Sequence, residues 1–190
     1  MKKLLISSLL LTSVAFAQSL SKSEAVKEAE DAVHQLHKMM KAQIKPLLKK
    51  EGVLSAARFC AEESYKKIQK LDRNLGENVS IKRISLKNRN PLSFPEKREE
   101  DILKAFELIE SSNAYLPEYI VQIDKKGNYS LYFPTTMSSR SCKACHGLKT
   151  NMKQEVKDFL EKEYPKDKAF GYSSGQVRGA VVVKIKSSEN

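Results

Sequence analysis

Residues 142–146 read Cys-Lys-Ala-Cys-His, and no other stretch limits the possible folds so tightly. Two thiols stand one helical turn apart, with an imidazole directly after the second. Cys-x-x-Cys serves zinc sites, thioredoxin-like redox pairs and covalent haem attachment. A third cysteine, Cys60, lies far away in "ARFCAEE". It has no fourth cysteine to pair with.

The N-terminus sharpens the cysteine problem. Lys2 and Lys3 precede an apolar run from Leu4 to Val14, and Ala15-Phe16-Ala17 has the small-x-small form of a cleavage site. This reads as a signal peptide over 1–17, leaving a single domain over 18–190, long enough for its own core. The apolar run is too short to span a membrane, and no later segment is apolar enough. The expected location is the periplasm, an oxidising compartment where paired cysteines become disulfides. Three cysteines cannot all pair, so at least one has another fate. Without Lys2 and Lys3 the 34 basic residues still exceed the 23 acidic ones by nine. In an exported chain such a surface suits an acidic redox partner, anionic cofactor groups or a membrane surface better than nucleic acid.

Periodicity changes along the chain. "SKSE" at 21–24 has capping-box form, and Val26, Ala29, Val33, Leu36, Met40, Ile44 and Leu47 recur behind it at steps of three and four. That predicts a long amphipathic helix. Gly52 breaks it, and a second helix is expected with Val53, Ala57, Cys60, Ser64, Ile68 and Leu71 on its inner stripe. Residues 78–88 suit a strand, a third helix follows Pro95, and 118–134 form a hairpin signal around Lys126-Gly127-Asn128. The cysteine motif comes next, then a short helix over 151–163 and a final β-rich strand, "VRGAVVVKI". Helices first, an antiparallel sheet later and no βαβ alternation predict one α+β domain.

Covalent haem attachment explains the motif best. Cys142 and Cys145 can bond one porphyrin edge, and His146 can rise beneath the ring as proximal iron ligand. Zinc wants a second ligand pair at similar spacing, and His34 and His37 are one helical turn apart on a distant helix. A thioredoxin-like pair belongs at a strand-to-helix junction in βαβ surroundings, whereas this one follows an antiparallel hairpin. One motif implies one haem.

The opposite axial position has several candidates. Met137 and Met152 are too near the motif to cross the ring easily. Met39, Met40, His34 and His37 on the first helix remain open, as does Cys60, although a lone thiol is most often a small core residue. The haem carboxylates need cationic or hydrogen-bonding neighbours, for which Arg83, Arg89, Asn90 and Arg140 are candidates. Arg89 and Asn90 have an alternative use in ordering the two-proline turn.

Beyond the motif, "RFCAEE", "IKRISLKNRNPLSFPEKREE", "SLYFPTTMSSRSCKACHG" and "YPKDKAFGYSSGQVRGAVVVKI" together resemble a family of bacterial mono-haem c-type cytochromes and haem sensor domains with a PAS-like fold. The resemblance runs over about 50–186. It implies a five-stranded antiparallel sheet flanked by helices, and a Cys/His-ligated iron with Cys60 opposite His146.

Thiolate ligation stabilises ferric iron, so such a site has a low reduction potential. The leading expectation is a periplasmic electron carrier with an acidic partner. The alternative is a redox or small-molecule sensor. Such a chain, ending at Asn190 with no kinase, methyl-accepting or DNA-binding module, would then need a separate signalling protein. No nucleophile–base pair stands at readable spacing, so the chain is not expected to be an enzyme.

Overall fold

The structure, a computed structural model, describes residues 20–187. The predicted signal peptide at 1–17 lies outside them. Helix α1 runs from Lys22 to Lys50, and its start is the capping box expected from "SKSE". The Glu24 amide donates to Ser21 Oγ, and the Ser21 amide donates to the Glu24 carboxylate at 2.9 Å. Ala25, Ala29, Ala32, Leu36 and Met40 are buried at steps of three and four. The alanines let the helix lie close against the sheet.

The single second helix expected after Gly52 is two, α2 (Val53–Glu62) and α3 (Ser64–Asn74). At the break the Ser64 hydroxyl donates to the Cys60 carbonyl at 2.6 Å, a back-bond that bends helices. Strand β1 (Val79–Ile84) follows, then a 3-10 turn (Pro91–Ser93), helix α4 (Lys97–Ser111) and the hairpin of β2 (Ile120–Ile123) and β3 (Tyr129–Thr136). Helix α5 (Arg140–His146) carries the cysteine motif, α6 (Gln154–Glu163) comes next and β4 (Val177–Ile185) ends the fold.

The sheet is antiparallel with order β1-β4-β3-β2, so the mixed α+β architecture agrees with the sequence reading. Four strands, not five, form it among the described residues. The segment after Ile84 leaves the ladder for a turn through Pro91 and Pro95, which cannot donate to a neighbouring strand.

Each sheet face has its own cluster. Val79, Ile81, Leu131, Val181 and Val183 pack against α1, while Ile84, Tyr132, Ala180 and Val182 pack against Ile102, Leu103 and Phe106 of α4. A third, smaller cluster joins Ala57 of α2 to Val156, Phe159 and Leu160 of α6. It leaves space between α2, α5 and the end of the sheet. No described helix is long and apolar enough to cross a membrane.

Candidate functional site

That space is a cavity of about 300 Å³. Cys142, Cys145 and His146 line it from α5, and Cys60 lines it from α2. A larger groove, about 1020 Å³, runs along the other end of the sheet, but its walls hold no cysteine or histidine.

Helix α5 is positioned at both ends. Ser139 caps it, its Oγ accepting from the Cys142 amide. At the other end the Gly147 amide donates to the Lys143 carbonyl at 2.8 Å, and a Cβ on Gly147 would lie 2.6 Å from that oxygen. Only glycine closes the turn this tightly. A strap over 167–172 then latches onto it. The Tyr172 amide donates to the His146 carbonyl at 3.0 Å and the Gly171 amide to the Gly147 carbonyl at 2.8 Å.

His146 is fixed by the same strap. Its Nδ1 lies 2.7 Å from the Ala169 carbonyl, which can only accept, so Nδ1 carries the proton. Nε2 keeps its lone pair, the state a metal ligand requires. Burial, with Arg89, Arg178 and Arg83 nearby, holds the imidazole pKa well below its ordinary value and keeps the ring neutral.

Arg89 ties these parts together. Its Nε donates to Asp167 Oδ2 at 2.8 Å, and Nη2 donates to the Cys145 carbonyl at 2.6 Å and the Ala169 carbonyl at 3.3 Å. Asp167 in turn accepts from the Ala169 amide at 2.7 Å. Arg89 therefore stands behind the motif as well as on the cavity wall.

The wall supplied by α1, α2 and α3 consists of Met40, Ile44, Ala56, Ala57, Cys60 and Ser64. Cys60 is exposed, a correction to the inner-stripe expectation, because the cavity opens at its position while its stripe neighbours Ala57 and Ile68 pack in the core. Surface accessibility and local desolvation diverge here. The thiol touches open space, yet the surrounding walls raise its pKa, against the opposing pull of Arg83 and Arg89. Burial also pushes the Cys145 thiol up to about 11.

Arg83 and Asn90 line the cavity. Asn90 Oδ1 also accepts from the Leu92 amide at 2.9 Å, capping the two-proline turn. Arg140 is exposed at the start of α5 and is not part of the cavity wall. His34 and His37 are exposed on α1, and Met39 packs against the core. Of the first-helix alternatives, Met40 alone lines the cavity. Among the described residues no three His, Cys, Asp or Glu side chains converge as a zinc cluster would need.

Sequence reasoning missed the 167–172 strap and Arg178. The one available signal was Gly179 within an otherwise continuous strand, which suggests a bulge.

Residues 13–186 match the model of the Tll0287-like family. The chain belongs to that family. The crystal structure of the cyanobacterial haem-protein Tll0287 superposes with a TM-score of 0.66 at 24% identity, covering 87% of this chain and 97% of that one. At that identity the likeness shows the fold. No curated protein sequence matches the chain.

Proposed function

We propose that this family member is an exported mono-haem c-type cytochrome of PAS-like architecture, acting as a low-potential periplasmic electron carrier and not as an enzyme. One observation carries the reading. A capped helix turns two thiols and an imidazole with a free Nε2 into a cavity that a third thiol, on α2, also lines. The donor set fits a haem. Two cysteines one helical turn apart line the cavity, the histidine tautomer is set by Ala169, and α2 supplies a soft ligand. The match to a cyanobacterial haem-protein supports the same group.

Bound there, the iron would supply one-electron redox chemistry. The chain's own residues do the rest. Cys142 and Cys145 would anchor the group, His146 and Cys60 would be its iron ligands, and a Cys60 thiolate would favour the ferric state. The apolar α1 and α2 side chains exclude water. The basic surface suits an acidic redox partner.

The test is to express the chain in cells with haem-attachment machinery and extract it with acid–acetone. Haem should stay with the protein and be lost from a Cys142→Ala/Cys145→Ala variant. Extractable haem, or stoichiometric zinc, would sink the proposal. Cys60→Ser should keep the haem, lose thiolate-type ferric bands and raise the potential. An unchanged spectrum would send the search for the sixth ligand to Met40. A sensor acting through a separate signalling protein is the second reading, favoured by the exposure of Cys60, which a small molecule could reach.

A further inference from the structure

The start of β4 departs from strand alternation. Thr135 of β3 pairs with Gly179, but Thr136 pairs with Val177, so Arg178 is the extra residue of a β-bulge. Val181 and Val183 face α1, and strict alternation would put Gly179 and Val177 on that face and Arg178 on the α4 side. Instead Val177 packs in the α4 cluster, and Arg178 lines the cavity. The bulge therefore turns a guanidinium away from an apolar core and into the site. Gly179 permits it, because any Cβ there would collide with the Ile84 carbonyl of β1.

Inside the cavity Arg178 is incompletely matched. Nη1 donates to Ser85 Oγ, and the guanidinium sits 5.4 Å from the Tyr172 ring centre, but Nε is buried without a hydrogen-bond partner among the described residues. Three arginines line this space, and Asp167 balances only Arg89. Arg83 and Arg178 form no ion pair among the described residues. Burial pulls Arg178 down to about 10 and lowers Arg83. Two half-buried, desolvated cations without counter-charges are costly unless anions arrive with a ligand.

We propose that Arg178, re-aimed by the bulge, joins Arg83 as the positioning pair for the carboxylate-bearing edge of the group in this cavity. The inference rests on the haem reading, whose own carboxylates are the anions in question. A planar guanidinium fork suits that chemistry better than a lysine.

The experiment compares holoprotein carrying Arg178→Gln, Arg83→Gln or Arg178→Lys with Arg73→Gln, which removes one charge at the far end of the sheet. Resonance Raman reads the haem carboxylate-bending mode, and potentiometry against pH reads the charge. R178Q and R83Q should shift the bending mode and lower the midpoint potential more than R73Q does. They should also introduce a slope with pH where the freed carboxylate titrates. R178K should move the mode while largely keeping the potential, and it serves if R178Q does not fold. A bending mode and pH profile in R178Q and R83Q matching those of R73Q would overturn the assignment. So would changes confined to thiolate bands, which would give the cations to Cys60, or a recovery by added phosphate, which would give them to a free anion. A wild-type protein without haem would instead defeat the wider reading.

Discussion

The two walls of the cavity are built in opposite ways. The His146 wall is fastened from behind. Arg89 reaches Asp167 and two carbonyls, the Ala169 carbonyl orients the imidazole, and two strap amides close onto the end of α5. The Cys60 wall is a packed helix surface of small apolar residues. Its polar ties near the thiol are the Ser64 back-bond to the Cys60 carbonyl and a longer bond, 3.4 Å, from the Tyr164 hydroxyl to the Ala61 carbonyl. A group held between them would have one ligand set by a bonded frame and the other set only by packing. With an iron bound, the frame would hold one ligand fixed, while the packed wall could tune or release the other.

The largest effect should come from breaking the frame. Arg89 and Asp167 are only 11% and 9% exposed, so Arg89→Ala leaves a buried carboxylate and two carbonyls without their donor. Losing one partner of a buried pair costs about 3–5 kcal/mol. Urea unfolding of the holoprotein should show that loss, and Arg89→Lys should not rescue it, since an ammonium cannot span the three acceptors. A loss no greater than that from an exposed arginine would erase the contrast between the walls.

Gly147→Ala attacks the same wall more gently. The added methyl meets the Lys143 carbonyl at 2.6 Å, so the end of α5 must shift. Overpacking of this kind costs about 1–3 kcal/mol. Because the strap bonds to residues 146 and 147, the shift should also broaden the histidine-sensitive region of the ferric spectrum. Wild-type stability together with an unchanged spectrum would show that the turn has slack.

This contrast also marks what the sequence could reveal. The CxxCH stretch was legible because its residue types and spacing stand out in the sequence, and all three side chains line one cavity. The α1 stripe, the hairpin and the final strand were legible because their periods are set by burial against one sheet. Cys60 was misread for a physical reason: a helical stripe records which residues point inward, whether toward packed core or toward a cavity. Ser64 sits on that stripe too, so the period continued smoothly across the helix break. The strap was invisible because its work is done by backbone amides and the Ala169 carbonyl, which any residue supplies. Arg178 was hidden by alternation, since a bulge displaces by one position the face on which a charged residue emerges.

On the Cys60 side, Ser64→Ala should have a smaller effect. It removes one neutral hydrogen bond, worth about 1 kcal/mol at most, and relieves a back-bond that bends the helix. Stability should fall by less than in Gly147→Ala, while the thiolate-type bands move because the turn carrying Cys60 is free to straighten. A stability loss as large as that of Arg89→Ala would show that the two walls are equally framed, and the comparison would fail.

The smallest effect lies away from both walls and supplies the acid baseline against which they are read. Glu96 is hydrogen-bonded to Lys82 at 2.8 Å and Lys184 at 3.1 Å, and those bonds, that to Lys82 foremost, hold its pKa below the ordinary 4.5. Between the folded and unfolded values the unfolded chain binds more protons, so stability rises with pH there. The contribution is complete above about pH 4.5 and is lost as pH falls through the lowered folded value. Glu96 is 63% exposed, so screening limits it to about 0.5 kcal/mol. Glu96→Gln should remove only that acid-window slope in unfolding experiments, because buried Glu99 remains within 2.8 Å of Lys82 and 3.2 Å of Lys184. If the variant instead changed the ferric spectrum at neutral pH, the far end of the sheet would be coupled to the cavity, and the distinction between framed and packed walls would have to extend through β1 and β4.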